Sequence, residues 1–430
     1  IKMRWHSLLI TFFTTCCFLS VNSYKILCLF PHVAKSHFIM AEALMKGLAL
    51  RGHEVTMVSH FPQKTPLKNY KDINLIGSMP EYVNSVPIDA VSTGYPQTTI
   101  DLLAHLGYTN CENTLKHPAV TELIASDEKF DLVVTELFNT DCFLGFVYKL
   151  NAPFISLSTS ILMPWAHARF GNPDIPSYMG NHFSYLGTRM TFTERLKNIL
   201  YEEFHKLWYH YMFDKPAYDI AKKYFGENLP PLHEIAKNTS LLLVNSHFSL
   251  NRPRPLVPNI IEVGGLHLEP SKGNLPEDIK KFLDGAKDGA VIFSLGSSIR
   301  METLSEEKRN AFFHAFAELP QRVLVKWEGD TLPGKPDNVM LVPWMPQMDV
   351  LAHPNTKVFV THGGLMGTME SSFNGVPMVA IPIFGDQYHN VRCYEENGIA
   401  IRLNYHTISK QTVLSAIKTV LITPVMPRML

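Results

Sequence analysis

Apolar and polar positions fall in blocks along this chain. Tyr24 to Phe30 is almost unbroken apolar sequence, and the loop Pro31-His32-Val33-Ala34-Lys35-Ser36-His37 leads from it into a helical pattern. That helix runs to about Arg51, Gly52 closes it, and Glu54 to Ser59 follows as a strand. The same order returns at Phe130 to Leu137 (strand), Asp141 to Leu150 (helix) and Pro153 to Ser158 (strand). Short strands apolar on both faces, alternating with helices, predict a parallel doubly wound α/β sheet. From Ile161 to Phe225 the chain is rich in aromatics and predicts a helical insertion.

The proline-rich passage Asn251-Arg252-Pro253-Arg254-Pro255-Leu256-Val257-Pro258-Asn259 breaks the periodicity, and the strand-helix alternation restarts beyond it. Strands are predicted at Ala290 to Leu295, Arg322 to Lys326, Val339 to Val342, Lys357 to Val360, Met378 to Ile381 and Ile399 to Leu403, with helices at Glu306 to Glu318 and Gln387 to Asn397. The expected division is a first lobe over 24–250, a linker over 251–265 and a second lobe over 266–430. Ligands of such sheets bind at the carboxyl ends of the strands, so the cleft between the lobes is the expected site.

Composition narrows the function. Hydrophobic residues make up 46% of the chain and formal net charge is zero, which supplies large cores and no electrostatic footprint for nucleic acid. The amino-terminal end, with Met3, Arg4 and His6 ahead of an apolar run from Leu8 to Leu19 and small residues near Ser23, predicts a secretory signal peptide over 1–23. Cys28, Cys111, Cys142 and Cys393 are too scattered for a zinc spacing; a bridge fits an oxidising lumen, with no pairing selected. Asn238-Thr239-Ser240 is a glycosylation sequon.

The most informative stretch is VFVTHGGLMGTMESSFNGVPMVAIPIFGDQ, residues 358–387. A buried strand ends at Thr361-His362-Gly363-Gly364, and Met366 to Asn374 predicts a helix with Gly375 at its left-handed exit. A glycine turn feeding a helix start presents free N–H groups to an anion. It is neither the dinucleotide fingerprint nor a Walker loop. Phe293-Ser294-Leu295-Gly296-Ser297 is a second strand exit, and Trp344-Met345-Pro346-Gln347 sets an indole in a proline-braced loop. Together these motifs resemble the UDP-glycosyltransferase family, with the Asn251 to Gly265 passage most similar to its insect branch.

The resemblance covers Tyr24 to about Val420. It implies the GT-B fold: two Rossmann-like lobes, the first for the acceptor and the second for the UDP-sugar. It implies donor contacts from Ser297, Trp344 (stacked on uracil), Gln347, His362, Gly363 and Gly364 (diphosphate), Glu370 (ribose), and Asp386 with Gln387 (sugar hydroxyls). His37 stands where the family places its general base. The family usually has an aspartate at the end of the strand Phe130 to Thr135; here that position is Glu136, and Asp141 is the second choice of partner. Met366 departs from the polar residue of many relatives. No D-x-D occurs, so no metal or other cofactor is expected. For the aromatic insertion, an acceptor pocket or a membrane-facing surface are alternatives to core packing.

The expected activity is inverting transfer of a hexose, glucose by the insect resemblance, from the UDP-sugar to a hydroxyl of a small lipophilic acceptor, a detoxification-type conjugation in the endoplasmic reticulum lumen. The rival expectation is a UDP-sugar-binding partner without turnover, pairing with full-length relatives in a homo- or hetero-oligomer. It is motivated by Glu136 and by the ending Leu421 to Leu430, which looks truncated, without the family's membrane anchor. A dehydrogenase is disfavoured, since no dinucleotide fingerprint follows either first strand.

Overall fold

The computed structural model describes residues 23–80, 82–92, 96–329 and 331–422. The expected signal peptide, apart from Ser23, and the last residues of the chain lie outside them.

The first part of the chain supplies β1 (Lys25–Leu29), β2 (Glu54–Ser59), β3 (Tyr70–Asn74), β4 (Val86–Pro87), β5 (Leu132–Glu136), β6 (Phe154–Ser158), β7 (Leu241–Val244) and β8 (Ile260–Glu262). Seven of them form one parallel sheet in the order β3-β2-β1-β5-β6-β7-β8. The second part supplies β9 (Ala290–Ser294), β10 (Ile299–Arg300), β11 (Arg322–Lys326), β12 (Val339–Val342), β13 (Thr356–Thr361), β14 (Met378–Ala380) and β15 (Ala400–Arg402). Its parallel sheet runs β12-β11-β9-β13-β14-β15. The two-lobed α/β architecture is therefore the expected one.

One boundary needs correction. Ile260–Glu262 pairs with β7 as the edge of the first sheet, so the first lobe extends into the segment expected as linker. Three prolines just ahead of it hid a three-residue strand. The edge strand Tyr70–Asn74 was also not expected, because Lys71, Asp72 and Asn74 dilute its apolar pattern to one buried position, Ile73.

Each sheet is held by burial on both faces. All five residues of β9 are buried, and Phe293 packs on Phe312 of the helix Glu306–Ala317, ring centroids 4.7 Å apart. Each such phenylalanine contributes about 1.5–3 kcal/mol. Ser305 caps that helix by accepting from the Lys308 N–H, and Glu306 and Glu307 in its first turn suit its positive end. In the first lobe, Cys111 and Cys142 form a disulfide between the helix Pro96–Leu115 and the turn before Leu144.

The lobes meet through more than the linker. Parallel pairing joins β4 of the first lobe to β10 of the second, and Asn84 N–H donates to the Ser297 carbonyl at 2.8 Å. Ile88 and Val91 sit within the second lobe's core. Across the helix Gln387–Glu396, Tyr185 bonds Glu395 and Arg252 pairs with Glu396 at 3.3 Å. Among the described residues no helix is long and apolar enough to cross a membrane.

Candidate active site

A cleft of about 710 Å3 opens between the lobes at the carboxyl ends of both sheets. His37, Ser297, Trp344, Gln347, His362, Gly364, Glu370, Asp386 and Gln387 all line it. Glu136 stands behind His37, and Gly363 shapes the turn beside His362.

On the first-lobe side, His37 lies in the first turn of the helix Lys35–Leu50, just after β1. Its Nδ1 is 2.5 Å from Glu136 Oε1 at the end of β5. Thr159, just past β6, completes a triangle: its hydroxyl is 2.9 Å from His37 Nδ1 and donates to the same Glu136 oxygen at 3.0 Å. A carboxylate only accepts, so Nδ1 carries the proton and Nε2 keeps its lone pair. Phe138 and His32 wall the imidazole, with ring centroids 4.6 and 4.4 Å away. Burial, then the neighbouring His37 and His60, hold His32 well below the usual histidine range, so it brings no charge to the pair.

Asp141 does not belong to this arrangement. Its carboxylate pairs with Arg169 and accepts from the Tyr209 hydroxyl at 2.6 Å. The helix expected from Asp141 begins at Leu144 instead, leaving Asp141 in the turn before it. Glu136, the first choice of partner, lies against His37, and Asp141, the second, is held away from it.

On the second-lobe side, β13 ends at Thr361 and Gly363 turns the chain with φ +80°. A side chain there would also meet Val391 Cγ2 at 2.3 Å. The helix Leu365–Phe373 starts beside the cleft with Gly364 as its N-cap, and no side chain caps its first N–H groups. Gly296 and Gly364 pack against the His362 ring; a Cβ on either would lie 2.7 or 2.4 Å from it. Burial, aided by Lys326, pushes His362 down to about 4, so its imidazole is neutral. Lys326 itself is buried at the end of β11, paired with Glu328 at 2.8 Å and facing the cleft.

Trp344 is 47% exposed, which sets aside core packing. Its indole stands open on the cleft wall, suited to stack on a flat base. Gln347 Nε2 donates to Glu370. Asp386 Oδ2 accepts from Asn390 at 2.7 Å. Burial raises the Asp386 carboxyl, opposed by the hydrogen bond from Asn390. The Gln387 carbonyl is already held by Ile383 and Phe384 N–H groups at 2.9 and 3.1 Å. Its amide N–H groups are what remain for a ligand. Met366 packs against the first lobe, with Asn245 Nδ2 3.4 Å from its sulfur. Thr159 and Lys326 carried no sequence signal; each matters only because a neighbouring strand places it.

Burial pushes Glu370 up to about 7, opposed by Gln347. Ribose hydroxyls donate to a carboxylate, so a bound nucleoside favours the ionised form. Below pH 7 the free protein holds a proton that binding must expel. Uridine, which has no phosphate to confuse the titration, should bind progressively more weakly from pH 7 to 5, by at most about tenfold per unit. Calorimetry with Glu370→Gln should show a flat profile; an equal slope in both proteins would remove Glu370 from the ribose site.

The part-buried His37–Glu136 pair on one wall of the cleft faces the glycine turn at Gly363-Gly364 and the open indole of Trp344 on the other, between the two lobes of a GT-B glycosyltransferase fold. The family model "UDP-glucoronosyl and UDP-glucosyl transferase" matches residues 25–427, and the chain belongs to that family. A "UDP-glycosyltransferase UGT5" of Dactylopius coccus is 41% identical over 96% of this chain and 80% of its own length. A "UDP-glucosyltransferase 2" of the same organism is 40% identical over 93% and 77%. The crystal structure of a UDP-glucose:anthocyanidin 3-O-glucosyltransferase in complex with UDP superposes with a TM-score of 0.58 at 17% identity, covering 94% of this chain and 91% of that one. The protein is thus a glycosyltransferase that draws sugar from a UDP-sugar.

Proposed function

We propose that this protein moves glucose from UDP-glucose to a hydroxyl of a small lipophilic acceptor, with inversion at the anomeric carbon, as a detoxification-type conjugation. The observation that carries the reading is the His37–Glu136 pair facing, across one cleft, the Gly363-Gly364 turn with His362 and Trp344. Nε2 of His37 takes the acceptor's proton as the oxygen attacks C1. The C1–O bond to the diphosphate breaks on the opposite face, and UDP leaves with the electron pair. Glu136 stabilises the imidazolium through Nδ1–H. The helix start at Leu365, His362 and Ser297 meet the charge growing on UDP, Trp344 and Glu370 hold the nucleoside, and Asp386 and Gln387 orient the sugar. No step calls for a metal.

Apolar residues around the first-lobe half of the cleft, among them Leu102, Leu103, Leu106, Phe138, Met163 and Phe183, support a lipophilic acceptor. The Dactylopius glucosyltransferase supports glucose. The Cys111–Cys142 bridge and the exposed Asn238 of the sequon support a secretory compartment, the endoplasmic reticulum lumen. Incubation with a phenolic acceptor and either UDP-glucose or UDP-glucuronate tests the reading. UDP release with a β-linked glucoside by proton coupling is expected. An α-linked product would overturn inversion, a preference for glucuronate would overturn the sugar, and UDP binding without product on any acceptor would favour the non-catalytic alternative.

A further inference from the structure

The helix Phe192–Tyr209 is built inside out. Its buried positions are Asn198, Glu202, His205 and Tyr209, and all are engaged in polar contacts. Asn198 Nδ2 donates to the Pro176 and Met179 carbonyls at 2.8 and 2.7 Å, and Asn181 bridges Glu202 and His205. Its exposed positions include Phe192, Leu196, Ile199, Leu200, Phe204 and Leu207, and Tyr211 extends them. At helical spacing these lie along one side. Phe192, Leu200 and Leu207 are 73%, 61% and 62% exposed. A contiguous apolar patch of this kind on a folded surface marks an interaction site.

We propose that this face seats the first lobe on an anionic lipid bilayer, in the plane of its headgroups. Charge supports a lipid surface. Arg189, Arg195, Lys197 and Lys215 are exposed around the stripe. Of the acidic residues in the same stretch, Glu202 and Asp214 are buried, Glu194 closes the capping box with Thr191, and the exposed Glu203 is paired with Lys206. Exposed basic side chains thus outnumber accessible acidic ones around the stripe, a balance that favours anionic headgroups. Aromatics at Phe192, Tyr201, Phe204 and Tyr211 mixed with leucines suit the boundary between headgroups and acyl chains. Behind the helix, Tyr209 shares one apolar cluster with Met163, Phe183, Leu103 and Phe138, which also line the cleft. The buried side of the helix therefore packs on the apolar cluster that also lines the first-lobe half of the cleft. Delivery of acceptors from the bilayer would follow if the acceptor class proposed above is right; the lipid contact itself does not depend on it.

Flotation of the full chain with vesicles tests this directly, whether or not the protein transfers sugar. The wild type should float with phosphatidylcholine–phosphatidylserine vesicles, less with phosphatidylcholine alone, and less at high salt. Leu200→Ser/Leu207→Ser, two surface changes that spare the fold, should weaken partition by about a hundredfold, roughly tenfold per leucine withdrawn. Its transfer rate to a water-soluble phenol should match the wild type. A wild type that stays at the bottom of the gradient, or a double variant that floats equally well, would overturn the proposal. So would a concentration-dependent dimer in sedimentation that the same substitutions dissolve, since the face would then belong to a second copy of the chain.

Discussion

His37→Ala should lower kcat for glucosyl transfer by about 10²–10⁴-fold, the usual contribution of a positioned general base, while leaving UDP affinity and thermal stability near wild type. The separation follows from placement. His37 sits in the first turn of a first-lobe helix, with Glu136 and Thr159 as its close polar partners, and the groups proposed to hold UDP come from the second lobe. Glu136→Gln should fall in the same range for another reason. An amide can donate to Nδ1, which favours the tautomer with its proton on Nε2 and so occupies the lone pair needed for the acceptor proton. Glu136→Asp retracts the carboxylate by one methylene and should cost less. Thr159→Val removes a donor to Glu136 and should lower kcat about tenfold, the loss of one modest hydrogen bond. Steady-state kinetics with calorimetric UDP binding check all four. Unchanged kcat in His37→Ala would end its role as base, and a matching loss of UDP affinity would point to a collapsed cleft.

How far these groups were visible in the sequence depended on how local their signals are. The strands of the second sheet could be read because a parallel strand buried on both faces is a short continuous apolar run, as in Ala290–Ser294. Strands at the first sheet's edge could not, since Tyr70–Asn74 buries one side chain and Ile260–Glu262 is three residues behind a proline run. On the donor side, a turn, a helix start and a braced loop lie in contiguous motifs, and the structure brings them to one wall of the cleft. The dyad was ambiguous. Glu136 and Asp141 are near neighbours in sequence, and what separates them is supplied from elsewhere: Thr159 draws Glu136 toward His37, while Arg169 and Tyr209 hold Asp141 away. The aromatic insertion hid its most telling property for the opposite reason. Periodicity shows that a helix is two-faced, and only tertiary packing shows that the Phe192–Tyr209 helix turns its polar face inward.

Gly364→Ala should weaken UDP binding by more than tenfold with little loss of stability, an unusual outcome for a glycine beside a buried turn. Gly364 has φ −65° and ψ 142°, a conformation alanine adopts freely. The nearest atoms to the added methyl belong to the His362 ring, with Nε2 at 2.4 Å. The ring must swing away, and Gly296 restricts its retreat, because a Cβ built there already lies 2.7 Å from the imidazole. A displaced imidazole withdraws its N–H from the diphosphate and crowds the free N–H groups at the start of the helix Leu365–Phe373. The cost is one charge-assisted hydrogen bond plus part of an anion site, about 1.5–3 kcal/mol of binding. Gly363→Ala should behave differently: φ +80° and the 2.3 Å approach to Val391 strain the fold itself, so its melting temperature should drop along with binding. The double variant Gly364→Ala/His362→Ala separates the causes. If the methyl acts by moving the ring, the double variant should bind UDP no worse than His362→Ala alone, a strongly non-additive cycle. Additive losses would mean that the methyl blocks the phosphate directly and that the glycine is required for access instead of for the histidine's place.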